Sequence, residues 1–267
     1  MARHTRAARL EHLPRPIVAV GNDYPAGHEH APHKHRRAQL LFAETGTMVV
    51  KTAQGSWVVP PHQAIWIPGG VTHGISMLSE VATRSVYLEP DAAQGMAAQC
   101  QVLGVAPLLR LLLIEAIDLP EEYVPGSRAA KLMELLIEEI RLAPALPLSL
   151  PFPAARKLAA RCRRFVERPS AQDTIELWCD ELGLSRRSFI RRFKTETGLP
   201  FAAWQRRACL FAALPRLLRG DAVTAVALDL GYASPASFST MFKALVGTSP
   251  SAYLRTAPRP EHTRQTT

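Results

Sequence analysis

The chain has 267 residues, which is enough for two domains with cores of their own. With 47% hydrophobic and 21% charged residues, its composition is globular and excludes a disordered or fibrous chain. The net charge of +9 is uneven, because residues 153–267 hold 19 Lys and Arg against 9 Asp and Glu, and residues 1–152 hold 13 against 14. The excess positive charge therefore lies in the C-terminal part, as expected for a domain that binds a polyanion.

The sequence contains no feature of a secreted or membrane protein. No apolar segment typical of a secretory signal follows the N-terminus, and the longest apolar run, 107–119, is short and interrupted by charges. The four cysteines show no CxxC spacing, which favours buried thiols in a reducing compartment, with redox sensing as the alternative. We therefore expect a soluble, cytoplasmic protein.

Residues 1–15 are polar and basic, and we expect them to be flexible. Short apolar runs rich in β-branched and aromatic residues follow, separated by Gly and Pro. They are Ile17–Val20, Gln39–Phe42, Thr47–Lys51, Trp57–Val59, Ala64–Ile67 and Thr83–Leu88. Runs of this length predict the strands of a small barrel or sandwich.

Histidines cluster within this strand-rich part of the chain. The spacing Gly27-x5-His33-x-His35-x3-Gln39-x6-Gly46 resembles the first cupin motif, with Gln where cupins usually have Glu, and Pro68-x-Gly70-x2-His73 resembles the second. The resemblance implies a cupin-like barrel over residues 16–90. Alternate positions of one strand would place His33 and His35 on the same face of the sheet.

By resemblance to metal-binding cupins, His33, His35, Gln39 and His73 would converge on a divalent Fe, Mn, Ni, Cu or Zn ion. Gln is a poorer ligand than Glu, because it brings no charge to offset the cation. The alternative is that the same four residues are hydrogen-bonded pocket residues that bind an organic effector. His28, His30 and His62 are expected in loops or at the barrel mouth.

After Pro90 the pattern becomes helical, with predicted helices over Met96–Leu119, broken near Pro107, and over Ser127–Leu142. The segment 144–153 is rich in proline and predicts an extended linker at a domain boundary. A basic amphipathic helix is expected over about Ala154–Glu167. Its outward face would carry Arg156, Lys157, Arg161, Arg163 and Arg164.

Two copies of one design follow. Thr174–Gly183 and Val223–Tyr232 each predict a short helix with a Gly near its end, and Ser185–Lys194 and Ser234–Lys243 each predict a capped helix. Both second helices carry Phe residues four apart, at 189 and 193 and again at 238 and 242. Segment 185–194 alone would also suit a solvated amphipathic helix. Its repetition favours two helix-turn-helix units.

The helix that links these units is predicted over about Phe201–Leu218. Pro215 lies inside it. Because proline removes an internal hydrogen bond, we expect it to kink or split this helix.

Residues 155–255 resemble the DNA-binding domain of AraC/XylS-type bacterial transcription regulators. The resemblance is carried by Ser185…Phe189-x-Arg191-x-Phe193-Lys194…Gly198, by Leu230-Gly231-Tyr232…Ser237-Phe238…Phe242-Lys243 and by Gly247-Thr-Ser-Pro250-Ser-Ala-Tyr253-Leu-Arg255. It implies an α+β two-domain protein with a cupin-like sensor barrel, flanking helices, an all-α DNA-binding domain over 154–257 and a disordered tail over 258–267. It also implies dimerisation through 91–143, although these helices would equally suit an intradomain core.

The resemblance also implies which residues contact DNA. In the first recognition helix Arg186, Arg187, Ile190 and Arg191 point outward, and the last three occupy the base-contacting positions of the family. Ser185, Arg192 and Lys194 would contact phosphates. In the second recognition helix the matching side chains are short, and Ser234 and Lys243 would contact the backbone. These short residues are Ala236, Ser237, Ser239 and Thr240.

The sequence thus predicts a transcription regulator that binds promoter major grooves and senses a small molecule, and predicts no enzymatic activity. The partners that the resemblance implies are double-stranded promoter DNA, an effector, a second copy of the chain and RNA polymerase. Nonspecific nucleoid binding is a weaker hypothesis. The alternative function is a metal-dependent cupin enzyme with an accessory DNA-binding domain.

Overall fold

The structure is a computed structural model that describes residues 13, 15–120 and 122–256. It divides into two compact units, of which the first extends to Pro147 and the second starts at Leu148, with residues 53–56 grouped with the second. The prediction of a disordered tail over 258–267 lies outside the described residues, as do residues 1–12 and 14 of the N-terminus. Within the described part of the chain, no helix combines the length and apolarity needed to span a membrane.

The first unit is built on antiparallel strands. Their bounds are β1 (Ile17–Tyr24), β2 (Glu29–His33), β3 (Ala38–Ala43), β4 (Met48–Thr52), β5 (Gly55–Val59), β6 (Gln63–Ile67), β7 (His73–Met77), β8 (Val81–Leu88), β9 (Gln101–Gly104) and β10 (Ala145–Leu146). Six of them form one sheet in the order β1-β8-β3-β6-β9-β10, and β5, β4, β7 and β2 lie side by side in a second sheet. We call this unit the β-domain.

Strand β3 determines where the functional site lies. It is buried along its whole length, between β8 and β6. Because side chains alternate along a strand, Leu40 and Phe42 face one side and pack into the hydrophobic core, whereas Gln39 and Leu41 face the other side and line a cavity.

Two helices cover the core face of this sheet, α1 (Pro107–Ile117) and α2 (Arg128–Leu142). Leu109 and Leu113 of α1 and Leu136 and Ile140 of α2 join the same core as Leu40. Ser127 caps α2 by accepting a hydrogen bond from the backbone N–H of Ala130.

The predicted helix over Met96–Leu119 is wrong in its first half. Residues 101–104 form β9, whose antiparallel pairing with β6 buries Val102 and Leu103, and the helix begins only at Pro107. Pro107 lacks a backbone N–H and suits the first helical position, so it starts α1 rather than interrupting a longer helix. The six-stranded sheet therefore extends beyond the predicted 16–90 barrel.

The second unit is helical, apart from β11 (Ser149–Pro151). Its helices are α3 (Arg156–Glu167), α4 (Ile175–Leu182), α5 (Arg186–Thr197), α6 (Phe201–Leu218), α7 (Val223–Asp229), α8 (Pro235–Val246) and α9 (Pro250–Thr256). We call this unit the α-domain. The predicted α+β two-domain architecture with two helix-turn-helix units is confirmed.

The proline-rich segment 144–153 is more ordered than a linker requires. Its first part pairs with β9 through Ala145 and Leu146. In its second part, the Trp204 indole N–H donates to the carbonyl oxygen of Pro151 at 2.7 Å, and Arg207 donates to that of Ser149 at 2.9 Å. The division between the two units falls inside this segment.

Pro215 does not split the linking helix, because α6 runs continuously from Phe201 to Leu218. Pro215 lies in the last turn, where the loss of one N–H donor affects only the end of the helix. Backbone bonds continue after it, since the N–H of Arg219 donates to the carbonyl oxygen of Pro215.

Candidate DNA interface and effector site

The first recognition helix, α5, is fixed at its start and along one face. The Ser185 hydroxyl caps it by accepting a hydrogen bond from the backbone N–H of Ser188. Phe189 and Phe193 are fully buried and pack against the buried ring of Trp178 on α4, with centroids 6.1 and 6.2 Å apart. This packing directs the opposite face of α5 to the surface.

Two of the arginines on α5 already have acidic partners. Arg186 pairs with Glu176 of α4, and Arg192 pairs with Glu196 one helical turn later, at 2.8 Å. These ion pairs hold both guanidinium groups against the protein surface. Arg186 and Arg192 are therefore less available than unpaired arginines for contacts with DNA bases.

Arg187, Ile190 and Arg191 lie on the exposed face of α5. In the described part of the chain, neither arginine has an acidic partner within ion-pair distance, and 44% of the Ile190 surface is exposed. Arg187 and Arg191 are one turn apart, so both can reach into one groove. This face offers two unengaged guanidinium groups with a methyl-bearing side chain between them.

Arg161 of α3 is buried and stabilises this helical unit. Its predicted outward position is therefore wrong. It is 9% exposed, its guanidinium lies 4.2 Å from the centre of the Trp178 ring, and it pairs with Asp173 at 3.2 Å and Glu181 at 2.7 Å. Trp178 in turn packs under α5. Arg161 therefore links α3 to the base of the recognition helix.

The second recognition helix, α8, starts with a reciprocal capping box formed by Ser234 and Ser237. Pro235 occupies its first turn, and the Thr240 hydroxyl donates to the carbonyl oxygen of Ala236 at 3.0 Å. Three of the hydroxyl groups predicted to face DNA thus already have hydrogen-bond partners within the helix.

Phe238 and Phe242 bury the other face of α8, as the repeated spacing predicts. Ser239 is half-buried and Lys243 is exposed at the last turn. Few side chains of α8 therefore project far from its surface.

The β-domain contains a cavity of about 530 Å³ between its two sheets. Its lining includes Gln39 and Leu41 of β3, Ile75 and Met77 of β7, and Tyr87 of β8. A volume of this size suits a small organic molecule. This cavity is the candidate effector pocket.

One end of the pocket carries a trihistidine cluster. Ring nitrogens of His33, His35 and His73 all lie within 4.8 Å of one another. His33 and His73 are direct cross-strand partners on β2 and β7, and His73 is fully buried. His35 lies two residues beyond the end of β2, so its predicted place on one strand with His33 is wrong, but its ring still joins the cluster.

The three imidazoles share one hydrogen-bonding arrangement. Each Nδ1 lies 2.6–2.9 Å from the main-chain carbonyl oxygen two residues away in the chain. Since a carbonyl oxygen only accepts, Nδ1 carries a proton in each ring, and in the neutral form each Nε2 keeps its lone pair. Backbone fixing of Nδ1–H is typical of histidines that bind metal through Nε2.

Gln39 completes the cluster. Its Oε1 lies 3.1 Å from Nε2 of His35, and its amide nitrogen donates to Ser85 Oγ at 3.2 Å and to the Tyr87 hydroxyl at 3.0 Å. This contact is either a hydrogen bond that His35 Nε2 donates to the amide oxygen or, with the ring proton on Nδ1 alone, two lone pairs that face one cation.

The pKa of His73 also favours metal binding by the cluster. Burial is the largest cause that lowers the pKa of this imidazole, to about 4, so the ring is neutral at physiological pH. Its Nε2 is buried and has no hydrogen-bond partner in the described part of the chain. A neutral imidazole with an unsatisfied lone pair is the form that coordinates a metal.

His28 and His30 also line the pocket, and His30 belongs to β2 rather than to a loop. Burial lowers the pKa of His30, with a smaller contribution from His28 and His33. His28 lies in the loop before β2, as expected, whereas His30 lies on the strand itself. His62 lies in a turn with a positive φ of 63° and is exposed.

The chain matches two family models. Residues 16–150 match the AraC-like ligand binding domain, and residues 178–256 match a helix-turn-helix domain. The chain is 31% identical over 222 residues to the HTH-type transcriptional regulator NimR of Escherichia coli (strain K12), which covers 83% of this chain and 81% of that protein.

A shorter similarity joins the chain to the HTH-type transcriptional regulator RipA of Corynebacterium glutamicum, at 31% identity over 39% of this chain and 31% of that protein. Among solved structures, the DNA-binding domain of AdpA in complex with a target DNA is 30% identical over 36% of this chain and 88% of that chain. Its TM-score of 0.34 is too low for the likeness to add to the assignment.

The family matches cover both units that the fold defines, and the similarity to NimR extends over most of both proteins. The chain therefore belongs to the AraC-type transcription regulators, with an AraC-like ligand-binding domain followed by a helix-turn-helix DNA-binding domain.

Proposed function

We propose that this regulator reads promoter DNA chiefly through Arg187, Ile190 and Arg191 of α5. The supporting observation is that both arginines are exposed and have no acidic partner in the described part of the chain, whereas Arg186 and Arg192 do. An unengaged guanidinium can fork onto guanine O6 and N7, and Ile190 can contact a thymine methyl group.

We infer that the remaining predicted contacts are mainly with the sugar-phosphate backbone of the DNA. Lys194, Lys243 and the amino-terminal ends of α5 and α8 near Ser185 and Ser234 suit phosphates. Ala236 and Ser239 of α8 suit close apolar or backbone contact. Because the residues of α8 that match the base-contacting positions have short side chains, we infer that specificity lies mainly in the segment that α5 reads.

We further propose that His33, His35, His73 and Gln39 hold a divalent transition metal at one end of the effector pocket. The support is that each Nδ1 contacts a main-chain carbonyl oxygen, that the buried Nε2 of His73 has no hydrogen-bond partner among the described residues, and that the Gln39 amide oxygen faces His35. A donor set of three nitrogens and one oxygen suits Fe, Mn, Ni, Cu or Zn. The ion would fix an effector in the pocket. Contact with RNA polymerase stays a prediction.

The metal proposal is tested by substituting one ligand. We expect His73→Ala to weaken the binding of Zn²⁺ to the full chain by roughly 100-fold, because a first ligand matters at least as much as its supporting groups. Isothermal titration calorimetry measures the change, and His62→Ala, outside the cluster, is the matched control. Equal affinities of the two variants would contradict the site.

The rival function is a metal-dependent cupin enzyme. We propose that the cluster serves sensing, because the family models matched by both units and the similarity to NimR are those of a transcription regulator. Elemental analysis with an assay for oxygen-dependent turnover separates the two functions, since stoichiometric metal with turnover would favour the enzyme.

We propose a homodimer formed through α1 and α2. Leu111 of α1 and Leu135 of α2 are 61% and 43% exposed, and a groove of about 410 Å³ lies between Leu112, Leu132 and Leu135. Exposed leucines beside a groove are typical of a protein interface.

Leu111→Glu with Leu135→Glu should convert the dimer to a monomer, because it places two charges in an apolar interface. Sedimentation equilibrium measures the mass. Leu177→Glu, an equally exposed leucine on α4, should leave the mass unchanged. A wild-type monomer at micromolar concentration would contradict the dimer.

A further inference from the structure

The proposed metal site contains no negative charge. Its donors are three imidazoles and one carboxamide, so a divalent ion would bring its full charge into a largely buried site. A buried charge without a counter-charge is unfavourable, because the ion loses its hydration without gaining an opposite charge. The counter-charge comes from a metal-bound hydroxide, from the rest of the pocket or from a ligand that displaces the hydroxide.

The rest of the pocket does not supply it. Of the described residues that line the cavity, Asp23 is the one carboxylate, and its side chain is 54% exposed and lies 3.5 Å from Arg84. None of the described residues that line the cavity is a lysine or an arginine, so an anion in the pocket would meet the metal and not a competing cation.

One wall of the pocket is aromatic. The Tyr24 ring stacks on His28 with centroids 4.9 Å apart and meets His30 edge-on at 4.8 Å. Apolar side chains of Leu41, Ile75 and Met77 also line the cavity. A flat ring placed in this cavity would find aromatic and aliphatic contacts.

We propose that the effector is a flat aromatic molecule with an anionic oxygen group, such as an aromatic carboxylate, whose charge balances the ion held by the trihistidine cluster and Gln39. This inference rests on the proposed metal site. Gln39 is the residue that determines the charge of the effector. A carboxylate at position 39 would neutralise the ion in part and reduce the need for an anionic ligand.

The test uses the full chain loaded with Co²⁺, whose visible absorption reports its ligands. Three probes are titrated: benzoate, the neutral isostere benzamide and the non-aromatic cyclohexanecarboxylate. We expect benzoate to change the Co²⁺ spectrum and to bind roughly tenfold or more tightly than either of the others, a difference of about 1.4 kcal/mol.

A variant pair tests the role of Gln39. Gln39→Glu should retain Co²⁺ and lose roughly tenfold in benzoate affinity. The control is Gln63→Glu, the same change on β6 outside the pocket lining. The Gln63 side-chain oxygen accepts a hydrogen bond from the backbone N–H of Val105. This variant should change neither Co²⁺ binding nor benzoate affinity. The probe comparison on the unaltered chain decides the question even if Gln39→Glu does not fold.

The outcomes separate the two proposals. A chain that takes up no Co²⁺ overturns both the metal site and the effector class. A chain that binds Co²⁺ through His73 but binds benzamide or cyclohexanecarboxylate as tightly as benzoate retains the metal site and overturns the effector class. Unchanged benzoate affinity in a folded Gln39→Glu variant also overturns it.

Discussion

Replacing Arg187 and Arg191 together with alanine should weaken binding to the specific promoter site by roughly 30-fold or more. Each guanidinium that forks onto a guanine contributes about 1–3 kcal/mol of discrimination, so the pair accounts for about 2–6 kcal/mol. The two side chains are on the exposed face of α5, and their removal leaves the buried Phe189 and Phe193 in place. Fluorescence anisotropy with specific and scrambled duplexes measures the change.

The matched control removes two arginines from the same helix. Arg186→Ala with Arg192→Ala loses the same charge, but these side chains pair with Glu176 and Glu196. We expect this variant to weaken specific and scrambled duplexes by similar, smaller factors. If the two double variants behave alike on both duplexes, α5 contacts only phosphates and the proposed base readout is wrong.

Arg161→Ala should lower the free energy of unfolding of the α-domain by about 2–3 kcal/mol. Removing one partner of a buried ion pair typically costs about 3–5 kcal/mol, and the lower value applies because Asp173 and Glu181 are partly exposed and can be rehydrated. The variant also loses the guanidinium that covers the Trp178 ring. Urea unfolding followed by circular dichroism measures the loss.

Arg164 provides the control on the same helix. It pairs with the same Glu181 at 2.9 Å, but its side chain is 68% exposed. Exposed ion pairs contribute about 0–1 kcal/mol, so Arg164→Ala should unfold close to wild type. Equal losses in the two variants would show that burial of Arg161 adds nothing to the stability of the α-domain.

Several parts of the fold could be predicted because local pattern and burial agree. The strands around Leu40 and Val86 are apolar runs that the sheets bury, and the paired phenylalanines predict both recognition helices. Strand β2 is indicated only by the cupin resemblance at His33, since Glu29–His33 contains no large apolar residue and depends on its pairing with β7. Long-range pairing of this kind leaves no periodic signal in one sequence.

The position of Arg161 had a signal that the prediction did not use. Arg161 follows Leu158 by three residues and precedes Phe165 by four, so it lies on the buried face of α3 despite its charge. Its charge predicts an outward position, whereas its helical spacing predicts a buried one. The acidic partners Asp173 and Glu181 that make its burial favourable come from residues outside α3, which the sequence alone does not place.

The candidate effector site was predicted in composition but not in geometry. Motif spacing selected His33, His35, Gln39 and His73, and the structure brings them together. The shared Nδ1 contacts with backbone carbonyls depend on loop conformation and could not be deduced from spacing. The same limit explains why spacing predicts His30 only in a loop or at the barrel mouth, although it lies on β2 and lines the pocket.

The most direct test of DNA recognition by this regulator is an electrophoretic shift of the full chain on its own upstream intergenic DNA. Specific sites are typically bound about 10³–10⁷ times more tightly than bulk DNA. We therefore predict a discrete complex that persists in roughly 100-fold excess of unrelated competitor and disappears when Arg187 and Arg191 are replaced. A complex that unrelated DNA displaces as readily as the upstream DNA itself would contradict sequence-specific recognition by α5.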